Sequence, residues 1–289
     1  MGRSNKAKVE LKDAIEMLFL IQTLKDIADN KYHTLINQKY KYRRFSETFV
    51  EFFRMLSLTK VEHPMISNNN PVVGVLVITI EGSFLGEFNN KIIRRGMEEY
   101  QKFEQAKFIG VGGRAVEKLK EYTPDLQVFS NMEAYGIYET AVVIKDYLYD
   151  EVMSGRLGKV IVCYAWPKSF EIEKPRAVKL LPCDELLSKQ AQFVDQFEDV
   201  LLESDPKDII GFLANLWITT RIYEILMDTL IASASYQARF LEDAVEKMKK
   251  EKNKAQLKYR KAKKTDIDTS LRETNTARQM VLEQKGSAY

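Results

Sequence analysis

Two glycine turns, two histidines, two cysteines and one basic run are where residue type and spacing in this sequence invite chemistry. Gly110-Val111-Gly112-Gly113 follows an apolar run and precedes a helical pattern, the setting in which backbone N–H groups cradle a phosphate. Its spacing is neither G-x-G-x-x-G nor G-x-x-x-x-G-K-[ST], so a tight strand-to-helix turn is the better reading. Gly82-Ser83-Phe84-Leu85-Gly86 has the outline of a nucleophile elbow but not the G-x-S-x-G spacing. His33 and His63 lie in the first helical pattern and in a breaker loop, so a Ser–His system is not expected. Cys163 and Cys183 lack metal-ligand spacing and point to a reducing compartment rather than a disulfide framework. The expectation is no catalytic, cofactor or metal site.

The basic run is the stronger signal. Residues 239–264 carry 11 Lys/Arg against 4 Asp/Glu, in a chain whose net charge is only +3. One reading is a solvated helix face, which charge runs usually are. The other is an electrostatic surface for an acidic partner. Tyr259 is the only aromatic of residues 247–264 and no base-reading motif accompanies it, so nucleic acid ranks below an acidic protein.

The elements that must carry these residues are set by where helix breakers are absent. Of the 13 Gly and 7 Pro, all but Gly2 and Gly286 fall between Pro64 and Gly211. Glycine and proline are what a helix interior tolerates least, so both ends are free to run as long helices around a punctuated middle. A helix over 208–283 would be roughly 110 Å long at 1.5 Å per residue, too long for one compact domain.

Apolar residues at Leu11, Ile15, Leu18, Leu24, Ile27, Ala28 and Leu35 form one stripe on the first helix, with a heavier end at Phe45, Phe49, Phe52, Phe53 and Leu56. In the last segment Ser204-Asp205-Pro206 reads as a helix start. There the predicted stripe is Ile222, Leu226, Leu230, Ser233, Gln237, Phe240, Ala244, Met248, Glu251, Ala255, Tyr259 and Ala262. It thins from Leu and Ile to Ser, Ala, Gln and Glu, and the first helix, running antiparallel, is its natural partner.

In the middle, strands are predicted over 72–80, 108–111 and 160–166, the last pairing with 176–181. Helices are predicted over 88–103, 115–122 and 133–154, the last burying Ala141, Ile144, Leu148 and Val152. Alternation of this kind argues an α/β layer structure with an at least partly parallel sheet. The fold expected is thus α/β plus a long antiparallel coiled coil, the terminal helices forming a shaft and the centre a Rossmann-like domain. The divisions are 1–60, 61–205 and 206–289. A hydrophobic share of 45% suffices for a real core. The start lacks an apolar signal core and no window approaches 18 uncharged apolar residues, so neither export nor membrane insertion is expected.

Several local patterns then fall in a known order. IQTLKDIADNKY (21–32) places Leu24, Ile27, Ala28 and Lys31 on a first-helix motif, I-T-x-A-M-x-M-V-A-A-x-K-L. In 75–93 Gly86, Phe88 and Asn89 match S-D-[RK]-G-L-C-G-G-[FY]-N, while Ile80, Glu81, Gly82, Ser83 and Leu85 depart. FIGVGGRAVEKL (108–119) falls where a strand ends in I-G-[RK]-[KR]-G. In 216–240 Ile222, Tyr223, Leu226, Ala238 and Arg239 fit a helix motif ending A-S-E-x-x-A-R-M, with Ser235 in place of Glu and Phe240 in place of Met. The following N-A-T-x-N-A run is missing. YRKAKKTDIDTS (259–270) keeps Tyr259 and Ile267 of Y-N-x-x-R-Q-x-x-I-T-x-E but not its Arg-Gln pair. As an ordered set these patterns make the chain resemble the gamma subunit of F-type rotary ATP synthases, as a divergent member.

The resemblance implies a protein without a catalytic site of its own, a central-stalk rotor within a ring of alpha and beta subunits. Its middle domain would meet the epsilon subunit and the membrane c-ring, on the cytoplasmic face of the membrane and without insertion. It implies that Lys247, Lys249, Lys250, Lys252 and Lys254 face acidic segments of the beta subunits. Arg239 and Lys31 would make rotor contacts or pair within the shaft, and Tyr259 and Ile267 would belong to the contact region near the end. A coiled-coil scaffold with an α/β sensor domain, or an enzyme with a pocket at a sheet switch point, are the rival classes.

Overall fold

The computed structural model describes residues 3–56, 63–123, 126–129, 136–183 and 205–286, with 41–56, 206 and 281–286 as backbone alone. The breaker-free ends are helices: α1 spans Arg3–Leu56 and α5 spans Pro206–Gly286. Asp205 starts α5, its carboxylate accepting the Lys207 N–H at 2.8 Å, with Pro206 in the first helical position where no N–H is needed. Between them lie β1 (Val73–Ile78), α2 (Gly86–Tyr100), β2 (Ala106–Val111), α3 (Gly113–Leu119), β3 (Gln127–Phe129), α4 (Ile137–Met153), β4 (Lys159–Pro167) and β5 (Glu173–Leu181). The three residues of β3 are the strand that periodicity misses, because a segment so short has no period to read. Part of the helix predicted over 133–154 begins outside the described residues.

The chain packs as two units, Ala28–Gln237 and Met1–Ile27 with Ala238–Tyr289. The packing units divide the two long helices internally, whereas the sequence divisions follow the helix ends.

The larger unit is built on a five-stranded sheet in the order β3-β2-β1-β4-β5. The first four strands are parallel and β5 is antiparallel to β4. This is the Rossmann-like order, with the direction of winding reversing between β1 and β4. β1, VGVLVI, is buried along its whole length, as an unbroken apolar run in a central parallel strand must be. The outer strand β5 carries Lys174, Pro175 and Arg176 exposed, residues that discourage further pairing on an edge. Helix α2 lies very close to β1, since a Cβ on Gly96 would stand 2.5 Å from Val77 Cγ2. α4 buries Ala141, Ile144, Leu148 and Val152, the face its spacing predicts. α5 is buried on every side from Ile225 to Ser235, making it a core helix of this unit. That also accounts for its 18-residue window of mean hydropathy 1.3, long and apolar enough to cross a membrane by composition alone. The tip of the β4–β5 hairpin reaches α1, with Phe170 edge-on to Tyr32 at 4.9 Å.

In the smaller unit residues 3–27 of α1 pair antiparallel with α5. Going from Glu10 to Lys25 on α1 moves the ion-pair partner from Lys258 (2.6 Å) back to Glu242 (3.7 Å) on α5. The seam is thin, with Ala7, Ala238, Leu241 and Val245 its fully buried side chains among the described residues. Ser4, Leu11, Ala14, Leu18, Ile21 and Lys25 continue it half-buried on α1, at steps of three and four. From Lys263 to Met280 every residue of α5 is exposed.

The coiled coil is present, but both predicted stripes need correction. On α1, Ile15, Leu24 and Ile27 are exposed. On α5 the buried line past Ala234 runs through Ala238, Leu241 and Val245, one residue on from Gln237, Phe240 and Ala244. The stripe reading followed the bulkiest residues. A close helix pair instead selects small and aliphatic ones, and leaves Phe240 at 44% exposure.

Candidate functional site

The glycine turn after β2 is closed to an anion. Gly113 N–H donates to Glu81 Oε1 at 3.0 Å and Ala115 N–H to Thr79 Oγ1 at 3.0 Å, while Gly112 N–H donates to Phe129 O at 2.9 Å. A carboxylate therefore stands where a phosphate would have to, on a helix of only seven residues. Gly112 has φ +86° and a Cβ there would lie 2.5 Å from Thr79 O, so glycine is required for close packing and a left-handed turn. This is a structural strand-to-helix turn.

The other turn is equally committed to structure. Ser83 O accepts from Gln237 Nε2 at 3.0 Å. Next along α5, the Tyr236 ring lies 5.5 Å from that of Phe88, with Lys91 Nζ 5.9 Å above Tyr236. α5 thus occupies ground beside the carboxyl end of β1, near the reversal of winding where this fold class binds nucleotides. His63 Nδ1 accepts the Met65 N–H at 3.2 Å, and burial lowers the pKa of its ring. His33 stands edge-on to Tyr32. Burial pushes the Cys163 thiol up to about 12, which leaves no thiolate for chemistry at neutral pH. Among the described residues no group of three or more His, Cys, Asp or Glu is placed to hold a metal ion.

What the structure offers instead is surface. On the side of α1 turned away from its seam, Leu20, Leu24 and Ile27 form a second apolar stripe, and Phe19 beside it is 74% exposed. On α5, Lys247, Lys250, Lys254 and Lys261 are all exposed on the side opposite the seam line of Val245 and Met248, while Lys258 flanks the seam and pairs with Glu10.

The predicted contact residues divide accordingly. Lys247, Lys250 and Lys254 share that outward line, and Lys254 also pairs with Glu251 at 2.7 Å. Lys249 is exposed and paired with Glu246 at 2.7 Å. Lys252 and Tyr259 are half-buried at seam steps, and Ile267 is exposed beyond the paired region. Arg239 is half-buried in the smaller unit; Lys31 is half-buried in the larger one, its ammonium pKa lowered by burial.

A family model described as ATP synthase matches residues 11–277. The chain belongs to the ATP synthase gamma-chain family. Curated gamma chains are distant relatives: that of Nitratiruptor sp. is 27% identical over 219 residues, covering 69% of each chain. That of Mannheimia succiniciproducens is 20% identical over 281 residues, covering 94% of this chain and 97% of its own. Among solved structures, a chain of the central stalk and c-ring of Tetrahymena thermophila mitochondrial ATP synthase aligns with a TM-score of 0.60. Its identity is 14%, over 78% of this chain and 99% of that one. A chain of the Euglena gracilis mitochondrial ATP synthase rotor aligns with a TM-score of 0.57 at 15% identity, over 91% and 98%.

Two of the gamma-family positions that match in 75–93 prove to be scaffold. Phe88 is buried in the core, and Asn89 clasps the end of β1, its Nδ2 donating to Ile80 O at 2.7 Å and its Oδ1 accepting from Ile80 N at 3.0 Å. Ser235, where the gamma family has Glu, is fully buried with its hydroxyl donating to Ala232 O at 3.0 Å. The Arg-Gln pair absent from 259–270 occurs further along, in Asn275-Thr276-Ala277-Arg278-Gln279, which meets the N-x-x-R-Q spacing in full on exposed helix. Reading the motif against the tyrosine instead of the asparagine hid it.

Proposed function

We propose that this chain is the non-catalytic rotor of a rotary ATP synthase, coupling ion flow through a membrane sector to ATP synthesis or hydrolysis. Its partners on this reading are a hexamer of alpha and beta subunits, an epsilon subunit and the c-ring, and it is peripheral on the cytoplasmic face of the membrane. The observation that carries the reading is the helix pair of the smaller unit. Its seam buries little, yet it displays an apolar stripe on one helix and a basic stripe on the other. Such a pair is suited to being sheathed by a partner that is apolar in one place and acidic in another.

The mechanism follows from symmetry. A rod with two unlike faces cannot touch three equivalent sites in the same way. Each rotor angle therefore favours a different nucleotide state at each catalytic site, and turning the rod cycles the three. In energetic terms this is differential binding of the rotor to conformers, the one route by which a partner shifts an equilibrium. Lys247, Lys250 and Lys254 are the lysines we place against acidic segments of the hexamer. Lys249 and Lys252 contribute less, since neither lies on the outward line.

Mixing the chain with alpha and beta subunits from the same source tests the proposal. A stable complex with raised, nucleotide-dependent ATPase activity is expected, with no hydrolysis by the chain alone. Failure to form that complex, or a symmetric homodimer by light scattering, would favour the scaffold reading.

A further inference from the structure

Two lysines of α1 sit where a coiled coil ordinarily places apolar residues. The inward positions of α1 are Ser4, Ala7, Leu11, Ala14, Leu18, Ile21, Lys25, Ala28, Tyr32, Leu35 and Lys39, an unbroken alternation of three- and four-residue steps. Lys25 and Lys39 fall two heptads apart on that line. Each meets an acid of α5, Glu242 and Asp228 respectively, which are likewise two heptads apart. The two pairs differ in setting. Glu242 is largely exposed, whereas Asp228 is 7% exposed and held in direct contact by Lys39.

We infer that Lys39 and Asp228 form a register pin, which fixes how far α1 and α5 are slid along one another and does not hold them together. Of the other inward residues near it, Ala28 and Leu35 are non-directional and Tyr32 makes its ring contacts with Phe170 and His33 rather than with α5, while a heptad pattern matches itself again after a slide of about 10.5 Å. Apolar packing alone therefore discriminates weakly between neighbouring registers. A buried carboxylate discriminates strongly, because any slide parts it from the Lys39 ammonium in direct contact with it and leaves only the more distant Arg221 of its own helix. Burial raises the pKa of Asp228 against the opposing pull of Lys39, which is the mark of a group placed at a cost. A buried ion pair is poor at adding stability and good at specifying alignment.

The register matters in the smaller unit, where it decides which part of the apolar stripe on α1 lies level with which part of the basic stripe on α5. That consequence rests on the rotor reading; the pin does not. Lys39 and Asp228 are positioning residues, acting on both surfaces through two continuous helices.

Cross-linking in the isolated full-length chain tests the pin. Cysteines are introduced as Glu10→Cys with Lys258→Cys for the native register, and Glu10→Cys with Glu251→Cys or Thr265→Cys for a slide of one heptad either way. In the parent only the native pair should oxidise to a cross-link. In Lys39→Met/Asp228→Leu the native yield should drop and a slipped pair should appear, with the melting temperature held or raised. The reversed pair Lys39→Asp/Asp228→Lys should recover the native cross-link alone. A single native register in the apolar variant overturns the inference, because packing would then suffice to align the helices. Unfolding of the apolar variant overturns it too, because the pair would then be a source of cohesion. None of these readouts involves other subunits, so a failure here leaves the rotor reading standing, and a failure to assemble leaves the pin standing.

Discussion

The sheet-bearing unit and the helix pair are made from the same two long helices, yet they solve opposite problems. In the larger unit α5 is buried all round from Ile225 to Ser235, β1 is buried end to end, and even a polar group such as Asn89 has both ends of its amide satisfied. In the smaller unit the same helices bury four small or aliphatic side chains among the described residues and leave Phe19, Leu20 and Ile27 in water. An apolar stripe of that size on a thin seam is unfinished structure, and it becomes economical only when something else covers it. The difference teaches that a single helix can be core at one end and interface at the other, with no change of secondary structure to mark the boundary.

The largest expected effect breaks the comparison at its stable end. Gly112→Ala adds a Cβ 2.5 Å from Thr79 O at a residue with φ +86°. Strain and clash together should cost about 3 kcal/mol or more, which for a chain of this size lowers Tm by roughly 10 °C. A thermal melt followed by circular dichroism measures this. A fall of only a degree or two would mean that the α3 turn is looser than its hydrogen bonds indicate.

The next effect is expected at the other end, and in a different assay. Replacing Phe19, Leu20 and Ile27 together by Ser should leave Tm almost unchanged, since each is mostly exposed in the isolated chain. The same variant should lose assembly with alpha and beta subunits by about 2 kcal/mol or more, the scale of anchor residues in a protein interface. Affinity measured by surface plasmon resonance against the hexamer is the check. A melt that drops while binding holds would show that the stripe packs within the chain.

How much of this was legible in the sequence follows the same divide. Long helices were legible from missing glycine and proline, and the strands from β-branched runs such as VVGVLVITI, because both signals are local. The face of α4 was legible because its apolar residues lie on one side only. The face of α1 was not. Leu11, Leu18 and Ala28 belong to the seam, while Leu24 and Ile27 belong to the outward stripe, and a helix apolar on two sides has no single period to read. Lys39 and Asp228 were invisible for another reason. They are far apart in sequence and conspicuous only once the heptad line is known. The glycine turn was read correctly as structural, but the reason, a carboxylate of Glu81 already filling the anion position, is a long-range contact that no motif carries.

A smaller effect sharpens the comparison within the basic stripe. Lys247→Glu, Lys250→Glu and Lys254→Glu in one chain should leave the melt near the parent, since these side chains are exposed. The variant should lower coupled ATPase activity and make it more dependent on ionic strength, each exposed pair being worth on the order of 0.5 kcal/mol. Reversal at Lys249 and Lys252 should do less, because neither lies on the outward line and Lys252 faces the seam. Equal effects from the two sets would deny the outward line any special part.

The smallest effect concerns Lys31, a half-buried ammonium in the larger unit whose pKa is lowered by burial below the ordinary lysine value of 10.5. The folded chain then gives up this proton more readily than the unfolded chain. Below the folded pKa both states carry the charge and the burial cost is constant. Between the folded pKa and 10.5 the unfolded state holds more protons, so stability rises with pH and the cost fades. Lys31→Met removes the cost at its source. Its Tm advantage at pH 7 should be no more than about 2 °C, because water screens a half-exposed ammonium well, and it should shrink as pH climbs towards 10.5. If Lys31 also meets a carboxylate in the assembled complex, the same variant should bind the hexamer less tightly while melting higher alone. A gain in both measurements would make Lys31 a plain structural liability, and a loss in both would give it a partner inside the chain.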